Sequence, residues 1–238
     1  MFIEICATSY NAAFNAQKAG AHRIELCSEL AVGGITPSFG LIEMIKEKLD
    51  IPVKVLIRPR SGNFVYSPEE FETMLRDIKK VKEVGCKGIV SGVLTSDFEI
   101  DREKTKELID AAFPLDFTFH RAFDLTPNLF ESLKVLKKLK VSRILTSGQA
   151  ESAEKGLEVL IELKELAGKE LIILPGGGIS PSNIYLFKKH GFHEIHASAS
   201  KVQSVSIEPK ISMNSPKFLD ETKIYSSDYE MIRQLLNS

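Results

Sequence analysis

The sequence predicts an α/β protein that folds as one domain, a TIM-like (β/α)8 barrel. Short apolar segments alternate with longer amphipathic segments along the chain, which is typical of parallel strands joined by helices. Eight strand-like segments recur every ~27 residues, close to the ~30 residues of a strand–helix–strand unit. The length of 238 residues is also close to the ~250 residues of a typical eight-stranded barrel.

The eight predicted strands are short and rich in branched and aromatic residues. They lie at residues 2–6, 23–27, 53–58, 88–92, 116–120, 142–146, 171–174 and 193–197. Between them, Ser67, Pro68 and Glu70 fit the cap, first and third positions of a helix start. An open, doubly wound sheet is the alternative fold. It usually carries a glycine-rich turn after its first strand, whereas here the segment ATSYN follows.

The C-terminal part differs from the rest. No linker or change of composition precedes residue 199, so a single domain over residues 1–238 is expected. Residues 199–226 are rich in serine and lack helical periodicity, which predicts an irregular loop at the top of the barrel. This loop is either a surface loop or a lid. A terminal helix is expected at about 228–237.

Composition excludes several classes of function. The net charge is −1 with 26% charged residues and no basic block, so neither a nucleic-acid nor a membrane-surface partner is expected. No apolar run is long enough to span a bilayer. Met1 leads directly into the first strand, so no signal peptide is expected. Three cysteines do not make a disulfide framework, which indicates a reduced, cytoplasmic environment.

The predicted barrel interior is unusually polar. Successive strand residues point to opposite faces, and the apolar face of each strand must meet the helices. Barrel interiors are normally filled by branched apolar side chains. Here the charges either form a self-paired network or, at the C-terminal strand ends, a ligand site. The inward positions are Glu4, Cys6, Arg23, Glu25, Cys27, Lys54, Leu56, Arg58, Asp116, Thr118, His120, Glu194, His196 and Ser198.

Five of these residues are candidate catalytic groups. An imidazole at a strand end can act as general acid or base, and barrel enzymes place their chemistry at the C-terminal strand ends. Arg23 and Lys54 lie at strand starts, which favours a structural role for them. The candidates are His120, His196, Arg58, Glu4 and Glu25.

The sequence also predicts an anion site at this end. Barrels often hold phosphate with the loops after strands seven and eight, and Ser198 opens the second of these loops. Arg58 and Arg60 after strand three would add positive charge. The loop after strand seven leads towards a helix, whose N-terminal amides would bind an anion. Its glycines are Gly176, Gly177 and Gly178.

Two cysteines have matching positions. Cys6 and Cys27 end adjacent strands with inward parity, and neighbouring strands lie ~4.8 Å apart. Two close thiolates suit Cu(I), while two buried thiols acting as small apolar groups are the alternative. Cys86 precedes strand four and lies at the opposite end.

The chain resembles the CutC copper homeostasis family. The matching stretches cover residues 1–200 almost continuously and include EICATS, AGAHRIELCSELAVGGITPSFG, FHRAFD, RILTSGQA, LPGGGISPSNI and EIHASAS. The resemblance implies a cytoplasmic, self-associating TIM-like barrel that binds Cu(I) through Cys6 and Cys27. The family's basic, methionine-containing stretch after residue 200 is replaced here by KVQSVSIEPKISMNS.

Two functions remain open at this point. The first is a copper homeostasis protein that binds Cu(I) through Cys6 and Cys27. The alternative is a TIM-barrel enzyme of unknown reaction that acts on a small anionic or phosphorylated metabolite. In that enzyme Arg58 and Arg60 would hold the anion, and His120 or His196 would move a proton.

Overall fold

Eight parallel strands form the centre of the protein. The computed structural model describes residues 1–204, 211 and 223–238. The strands are β1 Phe2–Ala7, β2 Arg23–Leu26, β3 Val53–Leu56, β4 Gly88–Ser91, β5 Asp116–Phe119, β6 Arg143–Thr146, β7 Ile172–Pro175 and β8 Glu194–Ala197.

The strands are arranged in chain order around the barrel. The sheet runs β7-β6-β5-β4-β3-β2-β1-β8, so β8 lies beside β1. A parallel bridge between Gly176 and His196 joins the two remaining edges. Every pairing within this sheet is parallel. The predicted barrel is therefore confirmed, and the open doubly wound sheet is not observed.

Helices cover the outside of the barrel. They are α1 Tyr10–Ala19, α2 Phe39–Lys48, α3 Pro68–Glu83, α4 Arg102–Ala112, α5 Leu129–Lys138, α6 Leu157–Ala167, α7 Ile184–Lys189 and α8 Tyr229–Asn237. The predicted start of α3 is confirmed, because Ser67 and Glu70 form a reciprocal capping box and Pro68 is the first helical residue. In the part of the chain described, no helix is long and apolar enough to cross a membrane.

The main apolar core lies between the strands and the helices. Ile5, Ile24 and Val55 on the outer faces of three strands are fully buried against it. Burying such a side chain stabilises the fold by roughly 1.5–3 kcal/mol. Because this face of the sheet supplies the stability, the inner positions are free to carry polar groups.

The segment predicted as an irregular loop at 199–226 contains two strands. β9 Ser200–Ser204 and β10 Lys223–Ser227 form an antiparallel pair in which Val202 faces Tyr225. The prediction of an irregular loop relied on the serine-rich composition. It gave no weight to the β-branched and aromatic residues of this segment, which favour strands. Residues 205–210 and 212–222 lie outside the described residues. The terminal helix is present as α8, whose Ile232 is buried.

Candidate functional site

The N-terminal half of the barrel interior holds a network of paired charges. Arg23 contacts Glu4 and donates to Glu194 over 2.8 Å. Arg143 bridges Glu194 at 2.8 Å and Asp116 at 2.9 Å. Four of these five residues open their strands. Buried charges must be paired to be tolerated, and here each guanidinium bridges two carboxylates.

Lys54 completes this network. Its ammonium donates to Thr118 Oγ1 over 3.1 Å and lies 3.8 Å from Asp116. The side chain is 1% exposed, and burial lowers the pKa of Lys54 to about 8. The predicted structural role of the strand-start residues Arg23 and Lys54 agrees with these contacts.

Glu4 connects the network to the layer above it. Its carboxylate accepts from Arg23 and, over 2.9 Å, from His196 Nδ1. Burial acts to raise the pKa of Glu4, but the His196 hydrogen bond and the Arg23 charge hold it well below its usual range. Glu4 is fully buried and lies outside the cavity lining. It therefore positions His196 rather than contacting a ligand.

A cavity of about 430 Å³ opens at the C-terminal ends of the strands. It brings together six predicted polar side chains that lie on or directly after five strands, and Leu56, Phe64 and Leu145 form an apolar part of its wall. Its volume lies within the ~300–1,000 Å³ of small-molecule sites. The six side chains are Cys6, Glu25, Cys27, Arg58, His120 and His196.

Glu25 and His196 form one side of the cavity. Glu25 Oε2 lies 3.7 Å from His196 Nδ1 and has no hydrogen-bond partner among the described residues. Burial raises the pKa of Glu25 to about 7. Burial would lower the pKa of His196, but the carboxylates of Glu25 and Glu4 raise it above its usual value. The Glu25 carboxyl group can therefore gain or lose a proton near neutral pH.

His120 follows β5 and caps the short turn after it. Its Nδ1 accepts the amide N–H of Ala122 over 3.2 Å, which assigns the proton of the neutral ring to Nε2. That Nε2 is buried and has no partner among the described residues. Burial, and then the nearby Arg58 charge, lower the pKa of His120 to about 3. Gly92 leaves room for the ring, since a Cβ there would lie 2.8 Å from it.

Arg58 has a different environment from the one predicted. Its amino groups donate to the carbonyl oxygens of Val32, Gly34 and Gly62 at 2.7–2.8 Å. These bonds tie two loops to the cavity wall. Arg58 is buried and, among the described residues, faces no carboxylate within salt-bridge distance. The positive charge of Arg58 therefore has no carboxylate partner at the cavity within the described residues, although its amino groups are occupied by carbonyl oxygens.

Two residues of the predicted anion site do not line the cavity. Arg60 turns outward and forms a two-point pair with Glu70 of α3, because the chain leaves strand geometry after β3. Gly176 is packed between Leu145 and His196, where a Cβ would lie 2.5 Å from Leu145 Cδ1. The helix after this loop begins only at Ile184. The loop amides therefore do not belong to its first turn.

The other residues of the predicted anion site lie together in the cavity lining. Arg121, which the sequence argument did not select, lies there as well. Gly177, Gly178 and Ser198 line the cavity, and so does Arg121. Arg121 pairs with Asp124 at 2.8 Å through Nε. Its Nη1 lies 3.3 Å from the Cβ that a side chain at Gly177 would have. The FHRAFD stretch contains Arg121 and was the available sequence signal for it. Strand parity could not select this residue, because the alternation of faces does not extend into the turn after β5.

The two cysteines lie at the base of the cavity. Cys6 Sγ and Cys27 Sγ are 3.4 Å apart and buried. The hydrogen bond that the Cys6 thiol makes to Cys27, together with burial, raises the pKa of Cys6 well above its usual range. Cys6, Glu25 and His196 each offer a ligand atom within 4.8 Å of the others. Cys86 lies in the core between sheet and helices, away from the pair as predicted.

Known proteins share this sequence and fold. The CutC family profile matches residues 1–201. A CutC protein of Klebsiella pneumoniae (strain 342) is 40% identical over 236 residues, covering 98% of this chain and 95% of the relative. One from Salmonella paratyphi A is 45% identical over 197 residues, covering 83% and 79%.

Solved structures give the same result. CutC of Streptococcus agalactiae is 35% identical, with a TM-score of 0.79 over 83% of this chain and 98% of that one. An aldolase with 11% identity and a TM-score of 0.66 shows only that the fold is shared. The protein described here belongs to the CutC family.

Proposed function

We propose that the cavity is the site of an enzyme that acts on a small anionic metabolite. One observation carries this proposal. Of the five buried side-chain polar atoms without a partner in the described residues, three belong to residues that line this one cavity. They are Glu25 Oε2, His120 Nε2 and Arg58 Nε, and the side chain of Arg58 also interacts with Tyr66 outside the cavity lining. Unsatisfied buried polar atoms are rare in folded proteins, so the presence of two of them on Glu25 and His120, which line the same cavity, favours a polar ligand there.

The charges of the cavity favour an anion. Arg58 brings a buried positive charge that faces no carboxylate among the described residues. Arg121 is neutralised through Nε by Asp124, which leaves its Nη1 near Gly177. The amide of Gly178 has no acceptor in the described part of the chain. Guanidinium groups and free amides are the usual partners of phosphate and carboxylate groups.

A panel of phosphorylated sugars and inorganic phosphate tests this proposal by thermal shift and calorimetry. We expect binding by the wild-type protein and about tenfold weaker binding by Arg121→Met, because a hydrogen bond to a charged group contributes about 1.5–3 kcal/mol. Arg233→Met, on the exposed face of α8, is the matched control and should bind as the wild type does. Equal affinities for both variants, or no binding across the panel, would contradict the proposal.

Cu(I) binding by Cys6 and Cys27 is the second candidate function. The 3.4 Å between the two sulfur atoms favours it, since soft thiolates select Cu(I). The Streptococcus agalactiae relative is also named as a proposed copper homeostasis protein. Because the pKa of Cys6 is raised, binding of the ion would have to release protons from the pair.

An anaerobic Cu(I) titration tests the second candidate. We expect Cys6→Ser and Cys27→Ser to lose a site that the wild type and the matched control Cys86→Ser retain. The same stoichiometry in all four proteins would exclude the cysteine pair. Self-association and a cytoplasmic location also remain proposals, and sedimentation and cell fractionation are their respective tests.

A further inference from the structure

We propose that this cavity removes a proton from the carbon beside the carbonyl group of a phosphorylated hydroxyketone, with Glu25 as the base and His120 as the hydrogen-bond donor to the carbonyl oxygen. This inference rests on the function proposed above and names its substrate class and reaction. It depends on three features of the cavity, which lie on different elements: β2, the end of β5, and the loop after β7.

The first feature is the Glu25 carboxyl group. Glu25 is the third residue of β2, and its side chain lines the cavity. Glu4 is held by Arg23 and His196, whereas Glu25 Oε2 has no hydrogen bond within the described residues. A general base must keep a lone pair that no internal donor occupies. Of the two inward carboxylates on β1 and β2, only Glu25 has an oxygen without a donor among the described residues and belongs to the cavity lining.

The second feature is the neutral His120 ring. The Ala122 amide fixes its tautomer, so Nε2 carries the proton and points away from that bond. The rings of Phe64 and Phe119 lie against it, with centroids at 4.6 and 5.9 Å. A neutral imidazole N–H in such an enclosure can polarise a carbonyl group and stabilise the oxyanion that develops from it.

The third feature holds the other end of the substrate. Gly178, whose amide has no protein acceptor in the described part of the chain, lines the cavity together with Arg121 and Ser198. Positive φ angles at Gly177 and Gly178, 104° and 75°, allow the backbone to curve around an anion. A phosphate group bound there leaves the carbonyl end of a short molecule in the remaining volume of the cavity.

The reaction balances without an oxidant or a metal. The C–H bond beside the carbonyl breaks, and the proton moves to the Glu25 carboxylate. The electron pair of that bond forms a carbon–carbon double bond, and the carbonyl oxygen takes the negative charge and accepts from His120 Nε2. Glu25 then returns the proton to the same carbon or, after a proton shift between the two oxygens, to its neighbour. When the proton on the Glu25 carboxyl group is replaced from water before it returns, the first outcome incorporates solvent hydrogen at that carbon. The second outcome converts a ketose into an aldose.

Exchange in deuterated water tests this inference, with dihydroxyacetone phosphate as the probe and proton NMR as the readout. We expect the wild-type protein to catalyse incorporation of deuterium beside the carbonyl group. Glu25→Gln should slow exchange at least about 100-fold, since general-base catalysis contributes about 10²–10⁴-fold. His120→Asn keeps an acceptor for the Ala122 amide but removes the Nε2 donor, and it should slow exchange while the probe still binds.

Thermal unfolding and probe binding are measured for each variant. If Glu25→Gln fails to fold, Glu25→Asp replaces it, because this variant retains the charge but withdraws the carboxylate from the substrate, and exchange should still fall. Binding of the probe without exchange by the wild type would overturn this inference and leave the proposed function standing. Exchange at the wild-type rate in Glu25→Gln would also overturn it. No binding of any phosphate ester would overturn both.

Discussion

Lys54 offers a quantitative test of how the polar interior affects stability. The ammonium group is 1% exposed, and burial lowers its pKa from 10.5 to about 8. The folded protein therefore holds this proton less tightly than the unfolded chain does. Stability is lowest below pH 8 and is regained as the pH rises from 8 towards 10.5. A difference of 2.5 pKa units corresponds to about 3 kcal/mol at pH 7.

Substitution by an apolar side chain of similar length should recover most of this energy. Lys54→Met also loses the hydrogen bond to Thr118 Oγ1, which costs about 1 kcal/mol. We therefore expect Lys54→Met to be about 2 kcal/mol more stable than the wild type at pH 7. The gain should be close to zero at pH 9.5, where the pKa difference contributes only about 1 kcal/mol.

Urea unfolding at pH 7 and pH 9.5 measures both differences. Lys79→Met is the matched control, because Lys79 is exposed on α3, and it should change stability little at either pH. A Lys54→Met protein that is less stable than the wild type at pH 7 would refute the reasoning. So would a difference that does not vary with pH, since the effect would then come from packing.

Three further results are expected. Arg23→Met should cost about 3–5 kcal/mol in urea unfolding, because it removes one of the two cationic partners from each of the buried carboxylates Glu4 and Glu194, whereas the exposed Arg76→Met should cost less than about 1 kcal/mol. Gly92→Ala should cost about 1–3 kcal/mol by crowding the imidazole after β5, while Gly40→Ala, with open space around it, should not destabilise. Finally, iodoacetamide should alkylate Cys6 more slowly in the folded protein than in urea, because its raised pKa keeps the thiol protonated.

Strand parity predicted most of the cavity from sequence. The apolar face of β1 and β2 had to meet the helices, so Glu4, Cys6 and Glu25 had to point inward, and all three are buried. The period of two is a property of the extended backbone and needs no knowledge of neighbouring elements. The same alternation of faces predicted Cys27 and His196, which also lie on or directly after strands.

Outside the strands this rule fails. Arg58 and Arg60 are separated by one residue, yet Arg58 turns into the cavity and binds three carbonyl oxygens while Arg60 pairs with Glu70. Which carbonyl oxygens and carboxylates a loop presents depends on tertiary structure, and no periodicity encodes it. Arg121 was not selected for the same reason, because it lies in a short turn rather than on β5.

The charge network and the candidate site are mechanically connected through Glu4. Its carboxylate accepts from Arg23 in the network and from His196 above it, and His196 in turn lies 3.7 Å from Glu25. A self-paired network that served stability alone would end at Glu4. Here the paired charges below fix the orientation of His196, and the imidazole then faces the Glu25 carboxyl group, whose Oε2 has no donor among the described residues. The polar interior therefore consists of two adjacent layers, a structural charge network and the candidate site above it. The first layer holds the second in place.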